Sequence, residues 1–246
     1  MNIAVNTRLL LKDKLEGIGY FTCETLKRMT KLHQEHHFFF IFDRKPDEEF
    51  IFSSNVTPIT LPPPTRHPFL WYFWFGFMIP ASLRKINAQL FLSPDGYLSL
   101  NAPCASIPVI HDINFEHNPQ DLPFVSGHYY KYYFPKFAKK ADSIVTVSNY
   151  SKSDIAQTYH IDPNKIDVVY NGVDELFRPL NEEEKQQVKS SYTSGSDYFV
   201  YVGSLHPRKN INGLLLAFDE FKQTQKVPVK LVLVGNKMFK TGDILK

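Results

Sequence analysis

Short apolar runs alternate with helix-length segments along most of this 246-residue chain. Continuous β-branched or aromatic runs at 2–6, 37–42, 56–61, 89–93, 108–111, 143–147 and 166–170 predict strands. They lack an in/out alternation, which is the pattern of strands buried on both faces. Between them, residues 17–32, 69–86, 124–140 and 149–160 predict helices. Strands alternating with helices imply right-handed βαβ crossovers and a parallel sheet covered on both sides. Residues 1–175 are therefore expected to form a doubly wound, Rossmann-like α/β domain.

The texture changes after Tyr170. Asn171-Gly172-Val173-Asp174 carries turn chemistry, a polar helix EEEKQQVKSSY follows Arg178-Pro179-Leu180-Asn181, and Thr193-Ser194-Gly195-Ser196 reads as loop. Residues 176–196 are thus expected to be a linker. A fresh strand–helix–strand unit then runs over 198–203, 210–223 and 229–235. One crossover cannot cover both faces of its own sheet, so 197–246 is expected to be an incomplete second α/β lobe.

Composition narrows the chemistry. The 28 Lys and Arg against 25 Asp and Glu give a net charge of +3, which permits an anionic ligand and does not call for nucleic acid. Only two cysteines, Cys23 and Cys104, are present, too few for a four-cysteine zinc site or a disulfide scaffold, so a reducing compartment is expected. The N-terminus has no basic stretch leading into a long apolar run, so no signal peptide is expected. The most lipid-like stretch, PFLWYFWFGFMIP at 68–80, falls short of the about 20 residues needed to span a bilayer. These features predict a cytoplasmic protein. The aromatic stretch is read as a packed core helix, with peripheral contact at the inner face of a membrane as the alternative.

Three features fall where α/β sheets bind ligands, at the carboxyl ends of strands. The first is Glu16-Gly17-Ile18-Gly19-Tyr20, where glycine lets a ligand approach the backbone at a helix N-terminus that favours anions. An ordinary turn is the plain alternative. There is no Gly-x-Gly-x-x-Gly dinucleotide fingerprint and no Walker-type phosphate loop. The second is Ile110-His111-Asp112: His111 at a strand end can donate a hydrogen bond to a phosphate or sugar hydroxyl, with Asp112 holding its tautomer. A zinc site would recruit His117 and one more ligand, but the spacing matches no common signature, so no metal is expected. The third is Tyr201-Val202-Gly203-Ser204-Leu205-His206-Pro207-Arg208-Lys209-Asn210, where Arg208 and Lys209 beside a helix N-terminus make a diphosphate cradle. Ser148 has no Gly-x-Ser-x-Gly around it, which argues against a hydrolase nucleophile.

These stretches, in this order, resemble the nucleotide-sugar-dependent glycosyltransferases of family 4 (group 1), which have the two-lobed GT-B fold. The resemblance rests on GIGY at 17–20, LFLSPDGY at 90–97, IPVIHDINFEHNP at 107–119 and ADSIVTVSNYSKSDI at 141–155. It continues through VVYNGVDELFRP at 168–179, YVGSLHPRKNINGLLLAF at 201–218 and VKLVLVG at 229–235. The resemblance implies that Gly17 lies by the donor diphosphate and acceptor, and that His111, with Asp112 beside it, contacts the donor sugar. It implies that Gly203, Ser204, Arg208 and Lys209 hold the diphosphate, and that Asn171 and Gly172 are an interlobe segment. It further implies a retaining hexosyl transfer, with mannose a candidate sugar, from a nucleotide-sugar donor to a glycan or lipid-linked acceptor in bacterial surface polysaccharide synthesis. No cofactor or metal is implied.

The chain departs from the pattern at Ser204, where some branches carry Arg, and at His206, where an acidic residue is common. The family's paired glutamates, which hold donor sugar and ribose, have no counterpart after Glu220, so the chain alone is expected to be catalytically incomplete. Two rival readings stand beside this one. A non-catalytic fragment would bind an acceptor or partner and self-associate through its incomplete second lobe. Another GT-B enzyme, such as a sugar epimerase or phosphorylase, fits the fold but not the Pro-Arg-Lys-Asn stretch.

Overall fold

The computed structural model describes residues 1–205 and 209–235. The early apolar runs pair as parallel strands: β1 (Asn2–Asn6), β2 (His37–Phe42), β3 (Val56–Thr60), β4 (Leu90–Ser93) and β5 (Ala105–Pro108), in the order β3-β2-β1-β4-β5. β1 is central, with Ala4 beside both Phe39 of β2 and Phe91 of β4. A strand flanked on both edges and covered on both faces has no polar side to show, which is why Ile3, Ala4 and Val5 are all buried.

One boundary moves. The strand predicted at 108–111 lies three residues earlier, because β5 is set by its pairing to β4, Leu90 opposite Ala105 through Ser93 opposite Pro108. The polar start Ala105-Ser106 conceals it in the sequence. Ser106 is fully buried, and its backbone N–H donates to Asp142 Oδ2 at 2.8 Å. Val109 then bridges to Val145, and Ile110 N–H donates to the Val145 carbonyl at 2.8 Å. That bridge leads to a second parallel pair, β6 (Ile144–Thr146) and β7 (Ile166–Val168). His111 therefore lies beyond the strand end, in the turn leading away from it.

The helices follow their predicted ranges closely: α1 (Gly17–Leu32) opens the crossover from β1 to β2. The aromatic stretch is more complex than one helix. It forms α2 (Pro68–Phe73), a π-helical turn (Trp74–Met78) and α3 (Ile79–Lys85). The π turn rotates the apolar face, so Trp74, Phe75, Ile79 and Leu83 enter the core. Phe69, Tyr72, Phe73 and Phe77 stay about half exposed or more. The packed-core reading thus holds for one face of this stretch only. Trp71 Nε1 donates to the Thr65 carbonyl (2.8 Å) and Trp74 Nε1 to the Leu61 carbonyl (2.9 Å), fixing α2 and the start of the π turn to the segment after β3. After the short α4 (Asn114–His117) come α5 (Phe124–Lys140) and α6 (Asn149–Tyr159). Ser148 is the N-cap of α6, its Oγ accepting from Ser151 N–H at 3.0 Å, which gives it a structural task. Among the described residues, no helix is long and apolar enough to cross a membrane.

The chain divides into two compact units, one ending at Gly172 and the other beginning at Val173. The second opens with α7 (Glu182–Thr193), started by an Asn181/Glu184 capping box, so most of the segment read as a linker is helix. β8 (Tyr198–Val202), α8 (Ile211–Gln225) and the parallel β9 (Lys230–Val234) complete one crossover. Phe199 meets Phe218 and Phe221 of α8 on one face of this small sheet. On the other face Val200, Val202 and Val234 are about half exposed or more, with no covering element among the described residues.

Phe91, fully buried at the sheet centre, is expected to cost about 3–5 kcal/mol when truncated to Ala. Phe77→Ala, on the exposed side of the π turn, should cost under about 1 kcal/mol. Denaturant titration followed by tryptophan fluorescence reads this directly, since Trp71 and Trp74 both lie in the first unit. Equal losses for the two variants would place the core elsewhere.

Candidate active site

In the first unit the carboxyl ends of the strands are held by a buried polar network. Ser93-Pro94-Asp95-Gly96-Tyr97 turns sharply after β4, with Gly96 at φ +81° and the Phe134 ring where a Cβ would sit, 2.9 Å away. Glycine alone suits that turn. The turn swings Asp95 back toward β1, where its Oδ2 accepts from Arg8 Nε (2.6 Å) and its Oδ1 from Asn6 Nδ2 (2.8 Å). Arg8 Nη1 donates on to Thr65 Oγ1 (3.2 Å). Thr65 in turn donates its backbone N–H and hydroxyl to Asp43 Oδ2, at 2.6 and 2.7 Å. Asp43 is closed from its other side by Arg44 Nε at 2.7 Å. The Arg8 guanidinium also lies 4.2 Å from the Tyr97 ring centroid.

Both partners of the central pair are more than nine-tenths buried. Burial opposes the charge on Arg8, but the Asp95 carboxylate and the surrounding tyrosines outweigh it, so Arg8 stays cationic. Burial likewise opposes charge on Asp43, and the bonds from Arg44 and Thr65 overcome it, holding its carboxyl below the usual range. None of Arg8, Asp95, Thr65, Asp43 and Arg44 is singled out by the sequence. Their partners lie up to 89 positions away, and only the Ser-Pro-Asp-Gly-Tyr stretch hinted at them.

His111 sits beside this turn. Its Nε2 donates to the Pro94 carbonyl at 2.9 Å, since a carbonyl only accepts. The Phe21 ring of α1 packs edge-on at 4.9 Å. Burial pushes its pKa below the ordinary histidine value, only partly offset by Pro94 and Asp112. A neutral ring with Nε2–H committed leaves Nδ1 as an acceptor, so His111 is built to take a hydrogen bond from a hydroxyl and not to give one. This reverses the donor role predicted for it. The expected part of Asp112 is also corrected: it caps the next turn, accepting from Asn114 N–H at 3.0 Å, while Pro94 fixes the tautomer. His117 pairs with Asp154 of α6 at 2.8 Å, so it is engaged away from His111.

The glycines of the α1 loop divide the work. A Cβ on Gly19 would meet Leu15 Cδ2 at 3.0 Å and the Leu9 carbonyl at 3.1 Å, so Gly19 serves packing. Gly17 is exposed with open space where its Cβ would stand, at the first residue of α1 and one turn from Phe21. Gly17, Phe21, Pro94 and His111 therefore share one region. Asn171 and Gly172 are exposed and close the first unit, Gly172 again with open space around it.

In the second unit Gly203 ends β8 at φ +155°, its N–H donating to the Val234 carbonyl at 2.9 Å. The opposing Gly235 is at φ +157°, and a Cβ there would overlap the Gly203 carbonyl at 1.8 Å. The two strands thus end backbone against backbone, which only glycine permits. The Ser204 carbonyl accepts from Tyr201 Oη at 3.2 Å. Exposed Lys209 directly precedes Asn210, the N-cap of α8, whose Oδ1 accepts from Gly213 N–H at 3.2 Å. Arg208 lies outside the described residues. Gly203 and Ser204 thus follow the end of β8, and Lys209 stands just before the start of α8.

A parallel-sheet unit with an open carboxyl edge, followed by a second βαβ unit with a glycine-closed strand end, has the plan of the two-lobed GT-B glycosyltransferases. The chain belongs to Glycosyltransferase Family 4, whose family model matches residues 15–175. A second model, Glycosyl transferases group 1, matches residues 182–242. Over 162 residues the chain is 31% identical to the O-antigen chain mannosyltransferase RfbU of Salmonella typhimurium, covering 65% of this chain and 42% of that protein. Over 155 residues it is 26% identical to the O-antigen chain mannosyltransferase B of Escherichia coli, covering 63% of this chain and 40% of that one. The chain thus spans about two fifths of the length of these relatives. Among solved structures, Anabaena HepE in complex with UDP and glucose shares the fold, with a TM-score of 0.64 at 15% identity over 99% of this chain and 63% of HepE.

Two outcomes follow. Arg8→Met leaves the Asp95 carboxylate buried without its cation and should cost about 3–5 kcal/mol, of which adding Asp95→Asn recovers about half; urea melts of the two variants beside the wild type measure this. For His111, a folded pKa below the unfolded value of 6.5 means the unfolded chain protonates first. Its stabilising contribution is complete above that value and is lost as pH falls through the window down to the folded pKa. His111→Gln should flatten the fall in Tm as the pH drops below about 6.5. An unchanged slope would show that His111 titrates as an exposed histidine.

Proposed function

We propose that this chain carries the acceptor-side lobe and the start of the donor-side lobe of a retaining hexosyltransferase that moves mannose from a nucleotide-sugar to a glycan or lipid-linked acceptor. The observation that carries the reading is the placement, in a family 4 chain, of a neutral histidine and a basic glycine loop at the carboxyl ends of parallel strands in successive units. The two mannosyltransferase relatives support mannose and surface polysaccharide synthesis.

In this reading the Nδ1 of His111 accepts from a hydroxyl of the donor sugar and so orients the ring. Gly17 leaves the backbone at the start of α1 open to the ligand. Lys209, with Arg208 carried over from the sequence, neutralises the diphosphate beside the α8 N-terminus. As the bond from the sugar's anomeric carbon to the diphosphate oxygen breaks, the acceptor oxygen bonds to that carbon on the same face. Its proton passes to the departing diphosphate. Retention follows from that shared face. The exposed Phe69, Tyr72, Phe73 and Phe77 support peripheral contact with a membrane bearing a lipid-linked acceptor.

Calorimetric titration of the protein with UDP, GDP, ADP and their sugar conjugates, followed by mass analysis of a mannose-bearing oligosaccharide acceptor, tests the proposal. Lys209→Ala should weaken diphosphate binding about 10- to 100-fold, and NMR of the product should show the donor's anomeric configuration. An inverted product, or diphosphate binding indifferent to Lys209→Ala, would overturn it.

A further inference from the structure

Beside the turn that carries Asp95, the first unit opens a cleft of about 1070 Å³ lined by residues from the loops after β1, β2 and β3. It is distinct from the Gly17–His111 region, neither residue being part of its lining. Its volume is at the upper end of ordinary ligand pockets, roughly 300–1,000 Å³, so it holds more than a single sugar ring. The charges on its walls are unequal. Arg8 is matched by Asp95, Arg44 by Asp43 and Lys12 by Asp47. That leaves Lys14, Lys45 and Arg66, all exposed and in no ion pair among the described residues, against the single carboxylate of Glu48.

These three cations are not a run in the sequence. They come from three separate strand-end loops, and the buried network fixes two of them. Arg66 directly follows Thr65, whose backbone N–H is held by Asp43. Lys45 directly follows the Asp43–Arg44 pair. Leu9, Leu10 and Leu11 supply an apolar wall beside them. A site with anchored unpaired cations on one side and aliphatic surface on the other suits a phosphate or diphosphate joined to an uncharged body.

We infer that this cleft binds an anionic acceptor, a sugar carrying a phosphate or diphosphate group that Lys14, Lys45 and Arg66 neutralise. That it is the acceptor which binds here rests on the transferase reading above. The preference for an anion rests on the cleft alone. The shared chemistry has two sources, a soluble sugar phosphate and a lipid-linked sugar diphosphate.

The test titrates the protein at low salt with methyl mannoside, mannose 1-phosphate, inorganic pyrophosphate and decyl diphosphate-linked mannose. The phosphorylated probes should bind at least about tenfold tighter than methyl mannoside, with an advantage that shrinks as salt is raised. Lys45→Gln with Arg66→Gln, both at exposed positions, should reduce that advantage about tenfold or more at unchanged Tm. Tighter binding of the decyl probe than of mannose 1-phosphate would assign the lipid-linked source, and equal binding the soluble one. Equal affinity for neutral and phosphorylated sugars, or no effect of the double variant, would overturn the inference. So would loss of mannose 1-phosphate binding in Lys209→Ala with none in the double variant, which would place the sugar phosphate on the donor loop. Anion binding sensitive to Lys45 and Arg66 but indifferent to the mannosyl group, with inorganic pyrophosphate bound as tightly as decyl diphosphate-linked mannose, would refute the acceptor role while leaving the anion site. Nucleotide-sugar binding that depends on Lys209, beside sugars bound with no preference for phosphate, would do the reverse.

Discussion

The pair of Arg8 with Asp95 is the constraint on which the first unit's open edge depends. Two groups that water solvates strongly are both almost fully enclosed, so each is tolerable only because the other is present. Neither can move without exposing a buried charge. Asp95 also fixes Asn6 of β1, and Arg8 reaches Thr65, so the pair couples the ends of β1 and β4 to the segment after β3. The enclosing rings of Phe75 and Tyr97 add a π face to the guanidinium and exclude solvent from it. The same turn that aims Asp95 at Arg8 presents the Pro94 carbonyl to His111. The tautomer of the histidine is thus a consequence of where the buried carboxylate sits.

Much of the fold was legible in the sequence, because β1, β2 and β4 are apolar on both faces and show that directly. β5 was misplaced because its first half, Ala105-Ser106, pairs through the backbone and carries little apolar signal. The interruption at Trp74–Met78 was invisible, since a π turn leaves no mark in a stretch apolar at nearly every position. The site was legible as positions and not as chemistry. Gly17, His111, Gly203, Ser204 and Lys209 all stand at strand ends or helix starts. The direction of the hydrogen bond at His111 was not readable, because it is set by a carbonyl 17 residues away. Nor was the Arg8–Asp95–Thr65–Asp43 chain, which links four separate loops.

The glycines show the same limit. Gly17 and Gly19 look alike in the sequence, yet a Cβ on one meets open space and on the other the Leu9 carbonyl. Gly203 and Gly235 stand 32 positions apart in the chain, and their shared constraint exists only because β8 and β9 are neighbours. Close backbone contact between strand ends is a tertiary property, and a residue chosen for it cannot be told from a turn glycine until the strands are paired.

The network also explains why charge recognition in the first unit would fall to the rim of its cleft. The floor holds Arg8, Arg44 and Asp43 in pairs whose geometry is closed, so a ligand gains little from them: an ion already matched at 2.6–2.7 Å offers no free valence to a second anion. What the floor supplies is position. By fixing the backbone at Thr65 and Asp43, it sets where Arg66 and Lys45 leave the surface, without taking part in what they bind. The floor is thus rigid and locally neutral, and the unpaired charge is confined to the rim above it. A neutral His111 fits this division: its free Nδ1 can accept from a hydroxyl, while the rim cations are the groups suited to an anion.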